Sequence, residues 1–500
     1  MNGVPRLVVT LTARGLDEAR TELADAHRAG ADMAEIRLDR WSEPDRSRAR
    51  ELLPSPVPLL LTLRSRAEGG EGPDDPAERA RLRARVGGAG WAAIDFEAAR
   101  DALPARGAGG PDPAVWVSTH LSAEATPSDL ARELQHPVPS GAVRKVVVSV
   151  TLGPGLDEIL ARAQAAARSG VTLLATGPAG PLQRAWGRRL GLPYVFAAPP
   201  ERRPTDVSRR VDPAQLPVDR LRRFYAAEPP APILAVVGRP AARSWSPWIH
   251  HRWMEAEGRA GLYLALEPES AQELIRILPK LAEGGLQGVN VTAPFKEAAL
   301  TAANRRQPSA ETVGSANTLT FQGSTVRADN TDLYAVQRRL TELKDSGVWS
   351  GEDLVVAGTG GAARSAVVAG RELGARVSIW GRRARMAEQL AREFGVECWT
   401  PGRGRASSLV IHATPVGRGP SGDALPIREM LAPSGHLLDF VYAATDPSLR
   451  NAAAARAASY ESGLRLLLYQ AAASYGIWWG TPPSDRLVEE AFREAEPCEA

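Results

Sequence analysis

Apolar runs of about six residues recur along the first 225 positions: LVVTLT from Leu7, AEIRLD from Ala34, LLLTLR from Leu59, AAIDFE from Ala92, VWVSTH from Val115, KVVVSV from Lys145, VTLLAT from Val171 and PYVFAA from Pro193. Ala/Arg-rich stretches that read as helices lie between them. Runs that are apolar on both faces and separated by helices predict buried parallel strands. Eight such units in this length predict a (β/α)8 barrel, with a doubly wound sheet as the alternative. Proline and small residues in AAEPPAP, 226–232, interrupt both periods and predict a linker.

From Ile233 an α/β pattern restarts with ILAVVG and continues through LYLALE, LQGVNVT and the TLTF and STVRAD pair. From Glu352, DLVVAGTGGAARSAVVAGRELGARVSIWGRR reads as strand, Gly-rich turn, helix, strand, the start of a Rossmann unit. Residues 451–500 read as helical. Domains are therefore expected at 1–225, 233–334 and 335–450, with 451–500 as terminal helices.

Composition narrows the class. A chain of 500 residues suggests about two to four domains. Its 61 basic and 58 acidic residues leave a net charge of +3, so no nucleic-acid footprint follows. Cys398 and Cys498 sit in no CxxC or Cys/His cluster, which indicates neither a disulfide framework nor a metal site and fits a reducing cytoplasm. RLVVTLTAR is too short and charged for a signal peptide. GLRLLLYQAAASYGIWWG carries Arg465 and Gln470 and falls short of a span of ~20 apolar residues. A soluble, cytoplasmic protein is expected, without membrane or nucleic-acid partners; a homo-oligomer is left open.

In such a barrel, charges at the C-terminal ends of strands have a functional meaning that charges on helices lack. Glu35 and Arg37 close the second run, Arg64 the third, Asp95 and Glu97 the fourth and His120 the fifth, while Lys145 lies in the sixth and Arg184 follows the seventh. If the alternation holds, Lys145 is inside the barrel, where burial lowers its pKa and frees the neutral amine for imine formation. The plainer reading places it on the solvated rim. His120 at the neighbouring strand end favours the first, because a base beside an imine can take a proton.

The set EIRLD, TLRSRAEGG, VSTH, a lone strand lysine, GPAGPLQR and DPAQLP resembles type I 3-dehydroquinate dehydratase over nearly all of the first 225 residues. The resemblance implies a Schiff base on Lys145, proton transfer by His120, and substrate binding by Glu35, Arg37, Arg64, Arg184 and Gln215. Glu68 falls where that family has an acid near the histidine. Thr176 stands in place of a Met, Val211 in place of a Ser, and the family's Ala-Pro-Gly-Gln loop reads DPAQ. Leu121 follows the histidine in place of an Asp.

In the second half, SWSP from Ser244, GVNVTAPFK from Gly288, SANTL from Ser315, DNTD from Asp329 and GTGGAAR from Gly358 together resemble shikimate dehydrogenase, in order, from about Pro232 onward. Polar residues unsuited to a core recur there at strand ends, as a polyol site requires. By this resemblance Lys296 and Asp332 form the catalytic pair, with Lys296 delivering a proton during reduction. Ser244 and Ser246 hold the substrate carboxylate; Thr292, Asn317, Asp332 and Gln470 bind ring hydroxyls. Gly358, Thr359, Gly360, Gly361 and Ala362 form the cofactor turn, though GxGGA alone is a weak signal. Arg382, Arg383 and Arg385 after the next strand suit the 2′-phosphate of NADP(H), or are an ordinary basic face. Phe440, Tyr442 and Gly463 match positions near the nicotinamide, and the terminal helices pack back on the substrate domain. Gly381 and Met386 depart from the family pattern, as do Leu333 and Tyr334 after NTD, Arg243 before SWSP, and His412 where Asn is usual.

The two halves would catalyse consecutive steps. Two rivals remain at this point: a catabolic NAD-linked quinate/shikimate dehydrogenase, and a ligand-sensing or scaffolding protein with an impaired first half.

Overall fold

The computed structural model describes residues 3–104, 113–153, 155–228, 231–417, 425–443 and 446–499. Pro229 and Pro230 of the expected linker lie outside them. The chain divides into two compact units, Met1–Ile233 with Ala260–Glu269, and Leu234–Arg259 with Ser270–Ala500.

The first unit contains β1 (Arg6–Thr10), β2 (Met33–Arg37), β3 (Leu59–Thr62), β4 (Ala93–Glu97), β5 (Ala114–His120), β6 (Val143–Ser149), β7 (Thr172–Thr176) and β8 (Tyr194–Ala197). They run in the order β7-β6-β5-β4-β3-β2-β1-β8, and each ladder between consecutive neighbours is parallel. This is a nearly closed eight-stranded α/β barrel. The doubly wound alternative fails because β1 pairs with both β2 and β8, so the order never reverses about a switch point.

Each strand gives one residue to a cluster on the barrel's inner face: Val8, Met33, Leu60, Ala93, Trp116, Val147, Leu174 and Phe196. Trp116 is its largest member, 1% exposed and packed on Tyr194 and Phe196 with ring centroids 4.7 and 6.1 Å away. Side chains two residues apart share a face of a strand. The position two residues beyond each of the first five cluster members is therefore also inward, and there the chain carries Thr10, Glu35, Thr62, Asp95 and Ser118. An apolar floor thus supports a polar layer, which is how the barrel positions its site.

Past the barrel the chain forms two six-stranded sheets. One comprises β9 (Ile233–Val237), β10 (Leu262–Leu266), β11 (Leu286–Val291), β12 (Arg305–Arg306), β13 (Thr318–Gln322) and β14 (Thr325–Asp329), in the order β10-β9-β11-β13-β14-β12, with β13 antiparallel to both neighbours. The other comprises β15 (Asp353–Ala357), β16 (Arg376–Trp380), β17 (Glu397–Cys398), β18 (Ser407–His412), β19 (Leu431–Asp439) and β20 (Ser459–Glu461). Its order, β17-β16-β15-β18-β19-β20, is all parallel and reverses between β15 and β18. That is the dinucleotide-binding order with its switch point beside the Gly-rich turn.

The helical reading of 451–500 misses β20, which lies between the helices Ser448–Ala454 and Leu464–Trp479. Three residues at a sheet edge are too short to display alternation. The helix Thr331–Asp345, capped by Asn330 accepting from the Leu333 amide, runs across residue 334, where the expected boundary falls.

Trp116→Ala empties the middle of the barrel floor and should destabilise the barrel by roughly 3–5 kcal/mol, the usual cost of deleting a buried aromatic. Guanidinium denaturation followed by far-UV circular dichroism checks this, and a loss below about 1 kcal/mol would contradict the packing assigned to this residue.

Candidate active sites

Lys145 is the third residue of β6 and shares the inner face with Val147. Its side chain is 3% exposed, with Nζ 3.8 Å from Glu35 Oε1 and 4.4 Å from the Phe196 ring centroid. The rim reading is therefore excluded. Burial lowers its pKa below the ordinary lysine value, and the Arg64 and Arg37 charges act in the same direction against Glu35 and Asp95. Thr10 and Thr62 each donate to Glu35 at 2.8 Å, fixing both carboxylate oxygens.

Arg64 is the hub of the polar layer. It donates to Asp95 at 2.6 Å, Glu68 at 3.0 Å, Glu97 at 3.2 Å and Ser118 Oγ at 3.0 Å. Burial opposes its charge, but these carboxylates outweigh it and raise its pKa.

His120 ends β5 with its side chain a quarter exposed, and Glu68 Oε2 lies 2.9 Å from its Nδ1 and accepts from its backbone amide at 3.1 Å. Burial and then the charges of Arg64, Lys145 and Arg37 hold the imidazole well below its usual pKa, which favours the neutral ring. Glu68 moves the other way, to about 7, because burial and the neighbouring Glu97 and Asp95 disfavour its charge more than Arg64 favours it. A neutral base and a buried amine are thus held in one electrostatic field, the arrangement needed for imine-assisted proton abstraction.

The remaining barrel candidates are more tied down. Arg37 makes a bidentate pair with Asp39 at 2.9 and 2.7 Å, which keeps its pKa above the usual value despite burial. Gln215 donates to Thr10 Oγ1 at 3.0 Å, linking it to Glu35, while its buried Oε1 accepts no hydrogen bond among the described residues. Arg184 stands apart, donating to the carbonyls of Phe196, Ala175 and Gly180 and to Asp212.

In the second unit Lys296, at the start of the helix Lys296–Ala302, makes an ion pair with Asp332 in the first turn of Thr331–Asp345. Asn317 Nδ2 donates to Asp332 Oδ1 at 2.9 Å and lies 3.4 Å from Gln470 Oε1. This pair and these amides line one cavity of about 120 Å3 together with Ser244, Ser246 and Thr292. Phe440, Tyr442 and Gly463 form another part of its wall, with Tyr442 packed against Trp245 at 5.2 Å between ring centroids. Asn290 also lines the cavity and donates to Thr318 Oγ1 at 3.1 Å. The sequence reading counts it among the polar residues of the motif but gives it no role, although a polar residue inside the VNV of β11 is itself a signal. His412 is bonded through Nδ1 to Asp439 at 2.7 Å and through Nε2 to Thr414, so the ring braces the end of β18.

The turn after β15 fits a dinucleotide. Gly358 has φ +142°, and a Cβ there would lie 2.6 Å from the Ala413 carbonyl oxygen. Gly360 caps the helix Gly361–Glu372 without a side-chain bond, and a Cβ on it would meet no atom within 4 Å. The N-terminus is thus open to a pyrophosphate. A Cβ at Gly361 would fall 2.9 Å from Lys296 Cδ, which places the lysine stem against the turn. Thr359 and Ala362 lie in the same turn, and Arg382, Arg383 and Arg385 are exposed beyond β16. No group of three or more His, Cys, Asp or Glu able to hold a metal occurs among the described residues.

A parallel sheet in this order, with a glycine turn at its switch point facing a Lys–Asp pair, defines a nicotinamide-dependent oxidoreductase, here in one chain with an α/β barrel. Comparison with known proteins refines the class. Residues 7–229 match the family described as type I 3-dehydroquinase, and 236–319 the shikimate dehydrogenase substrate binding domain. The NADP(+) shikimate dehydrogenase of Dinoroseobacter shibae is 35% identical over 262 residues, 50% of this chain and 93% of that one. A Thermus thermophilus NADP(+) shikimate dehydrogenase is 34% identical over 265 residues, 52% and 97%. Among solved structures, a shikimate 5-dehydrogenase from Thermus thermophilus in complex with NADP(H) and shikimate is 32% identical, covering 52% of this chain and 98% of that one with a TM-score of 0.47. The dehydroquinate dehydratase and shikimate dehydrogenase of S. pombe AroM is 20% identical and covers 98% of both chains with a TM-score of 0.43. The chain belongs to the shikimate dehydrogenase family, and in the same polypeptide residues 7–229 match type I 3-dehydroquinase.

Gly358→Ala and Gly360→Ala should separate fold from cofactor binding. The first forces a side chain against a carbonyl at a left-handed φ and should lower both the thermal midpoint and NADPH affinity. The second should leave the midpoint unchanged and weaken NADPH by about tenfold or more, since its methyl enters the space of the pyrophosphate. Differential scanning fluorimetry and fluorescence titration read the two, and unaltered NADPH affinity in Gly360→Ala would overturn the placement.

Proposed function

We propose that this enzyme dehydrates 3-dehydroquinate to 3-dehydroshikimate in its barrel and reduces that product to shikimate with NADPH in its second unit. The reading is carried by the pairing, in one chain, of a region matched as type I 3-dehydroquinase with a shikimate dehydrogenase, since the product of the first activity is the substrate of the second. Residues 1–225 are taken as the dehydratase, 226–232 as a linker, 233–334 as the substrate-binding part of the reductase, 335–450 as its nucleotide-binding part and 451–500 as returning helices. The two cysteines are unpaired, in keeping with a cytoplasmic, reducing setting.

In the barrel, Lys145, whose lowered pKa favours the neutral amine, attacks the substrate ketone, and loss of water gives an iminium. The iminium acidifies the adjacent C–H. His120 takes that proton, oriented by Glu68, and helps expel the hydroxyl as water; hydrolysis of the imine then frees Lys145. Glu35, Arg37, Arg64, Arg184 and Gln215 orient the substrate, Arg184 toward its carboxylate.

In the second unit NADPH, when bound, supplies the hydride. Gly358, Thr359, Gly360, Gly361 and Ala362 would hold its pyrophosphate and Arg382, Arg383 and Arg385 its 2′-phosphate, while Phe440, Tyr442 and Gly463 would form the wall on the nicotinamide side. Lys296 gives the proton to the carbonyl oxygen, with Asp332 holding its ammonium in place. Ser244 and Ser246 hold the substrate carboxylate, while Thr292, Asn317 and Gln470 select for ring hydroxyls, because an analogue lacking one leaves an amide or hydroxyl unpaired.

Borohydride added with 3-dehydroquinate should leave a covalent adduct on Lys145, seen by peptide mass spectrometry. An unmodified Lys145 in an enzyme that still dehydrates would refute the imine.

Lys296→Ala should cut reductase turnover by about 10²–10⁴, the usual contribution of a positioned acid–base group, and leave dehydration unchanged. Both rates are read in one assay with 3-dehydroquinate and NADPH, from enone absorbance and NADPH loss. Wild-type reduction by this variant would remove Lys296 from its role.

A further inference from the structure

The cations of the barrel mouth each have a carboxylate partner. Arg37 holds Asp39, Arg64 holds Asp95, Glu97 and Glu68, Lys145 faces Glu35, and Arg184 donates to Asp212 Oδ2 at 3.1 Å. Those partners differ in one respect. The side chains of Asp39, Asp95, Glu97, Glu68 and Glu35 are 0–5% exposed, and displacing any of them would strand a buried charge. Asp212 is 21% exposed and lies in the segment between β8 and the helix Val218–Ala226, so its carboxylate can turn toward water.

Arg184 cannot move in the same way. Its side chain is 2% exposed, with Nε on the Phe196 carbonyl at 3.0 Å and Nη1 on those of Ala175 and Gly180 at 2.7 and 3.1 Å. These bonds leave Nη2 as the end that meets a carboxylate. The other cation near Asp212, Arg210, is already paired with Glu201. Gln215, three residues on, presents the buried amide oxygen without a hydrogen-bond partner among the described residues. The same short segment therefore carries an anion on the arginine and an open acceptor for a hydroxyl.

We propose that Asp212 is a built-in competitor at Arg184, occupying the place of the substrate carboxylate until an anionic substrate displaces it. The inference rests on reading the barrel as the dehydratase and Arg184 as its carboxylate-binding residue. Asp212 then sets affinity and specificity without touching the reacting atoms. The apparent dissociation constant equals the intrinsic one divided by the fraction of enzyme with Arg184 free, so emptying the site in advance tightens binding and leaves the chemical step alone.

Asp212 Oδ1 also accepts from the Ala214 amide at 2.9 Å, so the carboxylate braces its own turn. Asp212→Asn keeps an acceptor for that bond and removes the charge, Asp212→Glu keeps the charge, and Asp212→Ala removes both. Steady-state dehydration of 3-dehydroquinate by the full-length enzyme tests the proposal, with reductase activity of the same chain and its thermal midpoint as controls for folding. Asp212→Asn should lower KM by about three- to tenfold with kcat within about twofold, and Asp212→Glu should stay near the wild-type KM. If Asp212→Asn fails to fold, Asp212→Ala serves for the same comparison. An unchanged or raised KM in a folded, charge-free variant overturns the competitor. A wild-type enzyme that does not dehydrate 3-dehydroquinate at all overturns the underlying reading instead.

Discussion

A charge enters a protein interior only with its counter-charge and its hydrogen bonds, and the barrel is organised around that requirement. Arg64 meets it by collecting Asp95, Glu97 and Glu68, three carboxylates about one guanidinium. The excess of negative charge must be relieved somewhere. It is relieved at Glu68, which burial and the neighbouring Glu97 and Asp95 lift to about 7, while burial above all lowers the pKa values of His120 and Lys145. The groups suited to move protons near neutral pH are thus those that the field holds least firmly in charged form.

The reductase cavity answers the same requirement with neutral groups. Apart from the Lys296–Asp332 pair, its polar lining consists of amides and hydroxyls, and its asparagines are held by buried hydroxyls behind them, Asn317 by Thr331 and Asn290 by Thr318. Such a network has no net charge to shield. It stays rigid through directional bonds, which suits recognition of a polyol better than of an ion.

Much of this is legible in the chain. The eight strands announce themselves because parallel barrel strands are buried on both faces and read as unbroken apolar runs. Lys145, His120, Lys296 and Asp332 stand out because charged residues inside or at the end of such runs have few structural reasons to be there. What the sequence hides has physical reasons too. The strand β20 has three residues, below the length at which alternation can be seen. Phe196, whose ring lies under the Lys145 ammonium, looks in the sequence like any other core aromatic. Asp212 lies in a proline-containing loop, where an acid is ordinary. Its pairing with Arg184 spans 28 residues and depends on the barrel bringing the ends of β7 and β8 together.

The stem of Lys296 fills the volume that a side chain on residue 361 would need. Glycine there does more than permit a turn, since its backbone is in an ordinary helical start. It reserves room for another residue's side chain. In a survey of all single substitutions, position 361 would therefore behave like an active-site position although it has no side chain to contribute, and its intolerance would track reduction rather than folding. Enzymes can encode the placement of a proton donor in the absence of atoms on a neighbouring segment.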